Sequence, residues 1–293
     1  MPSWQGKSRG NRLGYRIFVW ILEKLGVWPA YFLLRFVAFY YFLFSRHSSA
    51  CIYDYFRRHL GYGKLASLLG IYRNYYQFGQ TLIDKVVIMT DIPNRFSFDF
   101  DGEENLRQMA DLKRGGLLLS AHIGNWEIAG HLLKRINTRI HIVMYDGEEK
   151  DIKEYLESVT GERNARVIVV KDDLSHIYLI NQALLNNEFV CLHADRYMEN
   201  NKILETEFLG SNARFPAGPF ILAATCRVPV SFVFAMKESS LRYHFFATGI
   251  KEYDPAGKNE NIPRILREFK GAMEEKLKKY PEQWYNYYNF WQS

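Results

Sequence analysis

Cysteine is scarce in this chain: Cys51, Cys191 and Cys226 are the only three in 293 residues, and they lie far apart. An odd, widely spaced set of thiols excludes a disulfide framework and points to a reducing compartment. There is no CxxC pair and no HExxH string, and the eight histidines are scattered. The common zinc spacings are therefore missing, and no structural or catalytic metal is expected. Other signatures are missing too. No GxGxxG follows a strand-like run, and Gly6-Lys7-Ser8 lacks the earlier glycine of a phosphate-binding P-loop. Gly6-Lys7-Ser8-Arg9-Gly10 fits the string GxSxG, but a nucleophile elbow needs a strand before it and none is there. The chain shows no credible Ser or Cys nucleophile, no internal repeat and no low-complexity linker.

Acidic residues are nearly absent from the first fifth. Residues 1–64 carry ten Lys/Arg against Glu23 and Asp54, a balance of +8, so the remainder holds −2 of the net +6. That distribution excludes a chain built throughout for nucleic acid, which needs a basic face on its folded domain.

What the chain has in plenty is apolar and aromatic side chains: 48% hydrophobic residues, with 20 Tyr, 21 Phe and 6 Trp. One apolar run stands out. Lys7, Arg9, Arg12 and Arg16 precede Val27–Phe44, where nine of eighteen residues are aromatic and Arg35 sits near the middle. Eighteen helical residues span about 27 Å, barely the hydrocarbon thickness. A central arginine costs roughly 2.5 kcal/mol or more inside a bilayer. Tyr31, Tyr40 and Tyr41 also suit an interface. The run therefore reads as a basic, aromatic-rich helix lying in the headgroup region. A single spanning helix and a buried helix pair of a soluble domain are the competing readings. No small-residue cleavage site follows, so a signal peptide is not expected. Arg57, Arg58, His59 and Lys64 continue the basic theme, a helix over about Leu65–Met89 follows, and Pro93 marks a boundary. Residues 1–93 thus read as a membrane-associating helical segment and 94–293 as a second unit.

That second unit alternates strand-like and helix-like segments. Phe96, Phe98 and Phe100 alternate with polar residues, as in a half-buried strand. Strands are expected at Gly116–Ala121, Arg139–Tyr145, Arg166–Lys171, Phe189–His193, Ile203–Leu209, Val230–Ala235 and Leu241–Gly249. Helices are expected at Glu103–Arg114, Asn125–Arg135, Glu149–Thr160, Ser175–Asn187 and Asn261–Lys279. This order implies an α/β fold with a mixed, mainly parallel sheet flanked by helices.

The most informative string is His122-Ile123-Gly124-Asn125-Trp126-Glu127, between the Gly116–Ala121 strand and the next helix. Ligands of open α/β sheets bind beyond the carboxyl ends of strands, where His122 sits. Histidine can act as a base near neutral pH, and a carboxylate can orient its ring. On one straight helix, five residues would set His122 and Glu127 about 140° apart. The pair converges only through a turn, which Gly124 and the N-cap candidate Asn125 supply. A buried strand-end histidine beside an ordinary first-turn glutamate is the plain alternative. Two further places are candidates. In Val190–Arg196, Asp195 and Arg196 follow a strand end and either line the same crevice or form a surface ion pair. Phe208-Leu209-Gly210, Arg214 and Phe215-Pro216-Ala217-Gly218-Pro219-Phe220 precede a helix that Gly218-Pro219 starts, with proline at its first position. Its exposed N–H groups could hold a phosphate or oxyanion, and a plain loop is the alternative.

Together these segments resemble the lysophospholipid acyltransferase superfamily. His122 to Glu127 matches its His-x4-Asp/Glu motif, and the form HxGNWE looks like the branch of the late lipid A acyltransferases. Asp195-Arg196, Phe208-Leu209-Gly210, Phe215–Phe220 and Pro229-Val230 are similar to later motifs of that branch. Pro281-Glu282-Gln283-Trp284 also matches, but Tyr285-Asn286-Tyr287-Tyr288 follows where the branch has His-Arg-Arg. That ending is similar to a sister group associated with aryl-polyene, flexirubin and aminolipid synthesis. The resemblance implies a glycerol-3-phosphate acyltransferase-like fold and transfer of an acyl group from acyl carrier protein or coenzyme A to a lipid hydroxyl or amine. It implies no cofactor besides that acyl co-substrate. His122 is then the general base, Glu127 orients it, and Asn125, Asp195, Arg196, Gly210, Arg214, Phe215 and Gly218 are the substrate-binding candidates. The implied partners are the acyl donor, a lipid acceptor and an anionic membrane surface, with no nucleic acid. The implied location is the cytoplasmic face of a bacterial inner membrane. A non-catalytic lipid-binding protein and a lipid hydrolase are the competing functions.

Overall fold

The computed structural model describes residues 12–90, 92–126, 128, 136, 138–144, 166–171, 173, 175–197 and 201–291. Of the helix expected after Asn125, Trp126 and Ile128 are described and helical. Glu127, the helix read at 149–160 and the Gly6–Gly10 string lie outside the described residues.

Four helices come first: α1 (Arg12–Leu25), α2 (Val27–Phe44), α3 (Arg46–Asp54) and α4 (Lys64–Met89). Gly26 turns the chain between α1 and α2 at φ +82°, a left-handed value that favours glycine. α2 buries Val27, Ala30, Tyr31, Leu34 and Ala38, a stripe at three- and four-residue steps. That stripe packs on α4. The opposite side exposes Trp28, Phe32, Phe36, Phe39, Tyr40, Leu43 and Phe44, with Trp28 62% and Phe44 66% accessible. Among the described residues, α2 is the one helix long and apolar enough to cross a membrane.

The sheet follows. β1 (Ser97–Asp101) leads through helix α5 (Glu103–Asp111) to β2 (Gly116–Ser120), β3 (Ile140–Met144) and β4 (Arg166–Val169). Helix α6 (Ser175–Leu185) leads to β5 (Phe189–His193). A hairpin of β6 (Ile203–Phe208) and β7 (Ser211–Pro216) precedes helix α7 (Ala217–Thr225). Strands β8 (Val230–Ser239) and β9 (Arg242–Ala247) and helix α8 (Lys258–Lys279) follow. The seven-stranded sheet has the order β1-β9-β8-β2-β5-β3-β4. β4, β3, β5, β2 and β8 run parallel, while β9 pairs antiparallel with β8 and parallel with β1. The expected mixed, mainly parallel α/β sheet is the one observed.

β2 is central and fully buried, so its sequence is an unbroken apolar run. Its faces serve two clusters. Leu117 and Leu119 face the larger core, and Leu118 faces Met109 and Phe189. The larger core joins Ile52, Phe56, Ile71 and Tyr75 from before Pro93 to Phe232, Phe234, Trp284 and Phe290 from after it.

Two local readings change. Ser211–Pro216 is a strand of a hairpin, because Ala213 and Phe215 alternate inward while Leu209 (φ +48°) and Gly210 (φ +79°) form the tight turn. Helix α7 begins at Ala217, which puts Pro219 third and not first. The missing N–H of Pro219 still falls among the first-turn donors that a helix leaves unpaired.

One ion pair is sealed into this fold. Asp84 of α4 and Lys237 of β8 have side chains 0% and 1% exposed, and Lys237 Nζ donates to Asp84. Burial raises the Asp84 pKa and lowers that of Lys237, while each partner's charge opposes the other's shift. Removing one member strands a buried charge. Lys237→Met is therefore expected to cost about 3–5 kcal/mol in denaturant unfolding, and adding Asp84→Asn should restore most of it.

Candidate active site

The site is set by strand register. β2 and β5 pair in parallel with Ser120 opposite His193, and Ala194 N–H donates to Ser120 O at 2.8 Å. Two residues further along each strand, His122 and Asp195 face one another. His122 N–H donates to Asp195 Oδ2 at 3.0 Å, and His122 Nδ1 lies 2.7 Å from Asp195 Oδ1. Trp284 Nε1–H donates to Asp195 Oδ2 at 3.3 Å, and Tyr288 OH donates to the Asp195 carbonyl at 3.1 Å.

Asp195 is 1% exposed. Burial alone would raise its pKa, but the charge and hydrogen bond of His122, with Arg196 and His193 nearby, hold it well below the carboxylate range. An ionised carboxylate only accepts, so Nδ1 of His122 carries the hydrogen toward Asp195. His193 sits beside this pair, with its ring centroid 4.2 Å from that of His122 and 4.4 Å from that of Trp126. Burial, and then the charge of His122, push its pKa well below the usual histidine value. His193 is therefore neutral, and one imidazole of the two is left to share a proton with Asp195.

The backbone after His122 is held from three sides. Gly124 has φ +65°, and a Cβ there would lie 2.0 Å from Ala235 O. Asn125 N–H donates to Ala235 O at 2.7 Å. The buried Asn125 side chain donates to Thr81 O at 3.1 Å and to Tyr243 OH at 3.2 Å. The third side is the chain's end. Gly124 N–H donates to Gln283 O (2.8 Å), Tyr285 N–H donates to His122 O (3.1 Å), and Ile123 bridges Trp284 antiparallel. The Gln283 side chain is itself clamped to the Lys237 backbone by two hydrogen bonds. Arg196 donates to Tyr285 O at 2.6 Å.

The structure thus gathers His122, Asn125, Asp195 and Arg196. The other described candidates lie away from this pair. Arg214 pairs with Glu205 across the hairpin at 2.9 Å. Phe215 is fully buried against Phe208 and Phe290. Gly210 lies in the hairpin turn and Gly218 in the first turn of α7, both facing open space. Ala217 N–H, at that helix start, already donates to Lys202 O. Sequence reading gave no site role to His193, Gln283, Trp284 or Tyr288, though the last three stood in the C-terminal string it compared. His193 had a visible signal, since it lies two residues before Asp195 and so shares its side of the strand. No group of three or more His, Cys, Asp or Glu among the described residues is arranged to hold a metal ion.

Asp195 also makes stability depend on pH. Its native pKa lies below the unfolded value of about 3.9, so its contribution is present above that value and is lost as pH falls toward the native one. Asp195→Asn is expected to be less stable than the parent by roughly 1–3 kcal/mol near neutral pH. The gap should close below about pH 4 in unfolding measured across an acid series.

Comparison with known families finds a match over most of the chain. The model of the bacterial lipid A biosynthesis acyltransferases matches residues 70–293. No curated protein matches the chain. The match takes in most of α4, the whole sheet, the His122–Asp195 pair and the closing Gln283–Tyr288 segment. The chain is an acyltransferase and belongs to the bacterial lipid A biosynthesis acyltransferase family.

Proposed function

We propose that this acyltransferase moves a fatty acyl group from a thioester, carried by acyl carrier protein or coenzyme A, to a hydroxyl or amine of a bacterial lipid or glycolipid. The observation that carries this reading is the His122–Asp195 pair at the carboxyl edge of the sheet. With Nδ1–H given to Asp195, the ring's lone pair is on Nε2. Nε2 takes the proton from the acceptor O–H or N–H as that atom attacks the thioester carbonyl. The C–S bond then breaks, and the same proton goes to the leaving thiolate. Asp195 stabilises the imidazolium between these steps, as a buried carboxylate does in hydrolase triads. Glu127 is proposed to help orient the His122 ring and to stabilise its imidazolium by its charge, without a ring nitrogen of its own. Arg196 adds positive charge beside the pair and is the first candidate for the oxyanion. Arg214, on the hairpin, is the candidate for an acceptor phosphate.

The surface fits a lipid acceptor. The exposed aromatic side of α2 is a contiguous apolar face of the kind that marks an interaction site. The basic N-terminal residues favour an anionic headgroup layer. We place this face on the cytoplasmic side of a bacterial inner membrane, with α2 lying in the interface and Arg35 at headgroup level.

The test uses detergent-solubilised full-length protein, labelled acyl donor of each kind and a bacterial lipid extract. The parent should make a labelled lipid whose mass names the acceptor. His122→Ala should lose activity by about 10²–10⁴-fold while folding normally. A folded His122→Ala enzyme with parental turnover rules the mechanism out, and release of free fatty acid without labelled lipid makes the protein a hydrolase. The membrane face has its own check. Burying one large apolar side chain is worth about 1.5–3 kcal/mol, so losing one weakens partition roughly tenfold or more. Trp28→Ser with Phe32→Ser should shift the protein off anionic vesicles in a flotation assay, and unchanged binding removes α2 from the contact.

A further inference from the structure

The sealed Asp84–Lys237 pair connects to the catalytic turn. Lys237 Nζ donates to Asp84, to Tyr31 OH at 3.0 Å and to Ser240 O at 2.9 Å. Tyr31 and Tyr243 both donate their hydroxyls to Asp84. Tyr243 OH then accepts from Asn125 Nδ2 at 3.2 Å, while Asn125 donates its other side-chain hydrogen to Thr81 O, one turn before Asp84 on α4. The cluster therefore joins α2, α4, β8 and β9 and ends three residues from His122.

Stability does not account for this arrangement. A buried ion pair often contributes no more than well-packed apolar groups of the same volume. What it gives is fixed direction. Asp84 accepts from three donors, and each donor is placed by a different element, so the Tyr243 hydroxyl has one orientation. That orientation leaves its lone pair toward Asn125. Between Asn125 and His122 lie only Ile123 and Gly124, and both are tied to neighbouring chain. A shift of Asn125 is thus passed to the ring.

We propose that Tyr243, oriented by Asp84 and Lys237, is a positioning residue for His122: its hydroxyl fixes Asn125 and thereby the backbone that carries the base. The kinetic part of this proposal rests on reading His122 as the general base. It makes α4 part of the site's scaffold, and it makes the Tyr243 hydroxyl important to turnover though it touches no substrate.

The test is Tyr243→Phe in the full-length protein, with Tyr253→Phe as the control for losing a buried hydroxyl. The Tyr253 hydroxyl donates to Glu268, away from this cluster. Tyr243→Phe should lower kcat by about 10- to 100-fold, the scale of a small misplacement, and leave the donor KM unchanged. Tyr253→Phe should keep both. In a double-mutant cycle, Asn125→Ala with Tyr243→Phe should lose no more than Asn125→Ala alone. Parental kcat in Tyr243→Phe, or losses that multiply in the cycle, overturn the proposal. The imidazole nitrogen resonances of His122, assigned by their loss in His122→Ala, give a readout that needs no turnover. They should move in Tyr243→Phe and stay in Tyr253→Phe. Unmoved resonances reject the positioning role even if the parent transfers no acyl group, an outcome that would separately reject the proposed function. If Tyr243→Phe does not fold, Asp84→Asn with Lys237→Gln replaces it, with the same kcat loss expected and parental kcat again overturning the idea.

Discussion

Parallel pairing of β2 with β5 is the constraint on which the site depends. Their register sets Ser120 opposite His193 and so carries His122 onto Asp195 two residues later. A slip of one residue would turn each side chain to the opposite face of the sheet and separate the two groups. The register is held because both strands are buried: β2 is covered on both faces, and Phe189 and Val190 of β5 are fully buried. The apolar core thus aligns two polar residues 73 positions apart.

Around that pair the fold spends its polar groups on direction. The His122–Asn125 turn is bonded to β8, to α4 through Thr81, and to the Gln283–Tyr285 segment. The chain's end also supplies Trp284 to the Asp195 carboxylate and Tyr288 to its carbonyl. Each bond alone is worth on the order of 1 kcal/mol, but leaving any buried partner unmet costs more. A network of this kind rigidifies its members when all are satisfied. Such rigidity holds the His122 ring in one place relative to Asp195.

The N-terminal helices have two jobs. One side of α2 completes a core through Tyr31 and Leu34, and the other presents aromatic rings outward. Because Tyr31 reaches Asp84, the helix that faces outward and the turn that carries His122 belong to one polar cluster. A separate anchor on a flexible tether would show neither feature.

Much was legible in the sequence. The apolar run of β2, the alternation of Phe96, Phe98 and Phe100, and the repeat of strand and helix gave the sheet, because burial periodicity is a local property of the chain. A turn at Gly124-Asn125 was also legible, and residue 124 does take a glycine's backbone angle at close approach to Ala235. The hairpin at Ser211–Pro216 was not legible, because its short alternation is overprinted by the Phe-Pro-Ala-Gly-Pro string. What the tertiary structure decided was pairing: that the carboxylate on His122 Nδ1 is Asp195, that Trp284 and Gln283 return to the turn, and that Asp84 meets Lys237. These contacts join residues far apart in the chain. Local chemistry fixes which groups can bond, and only the packed sheet fixes which of them are brought within 3 Å.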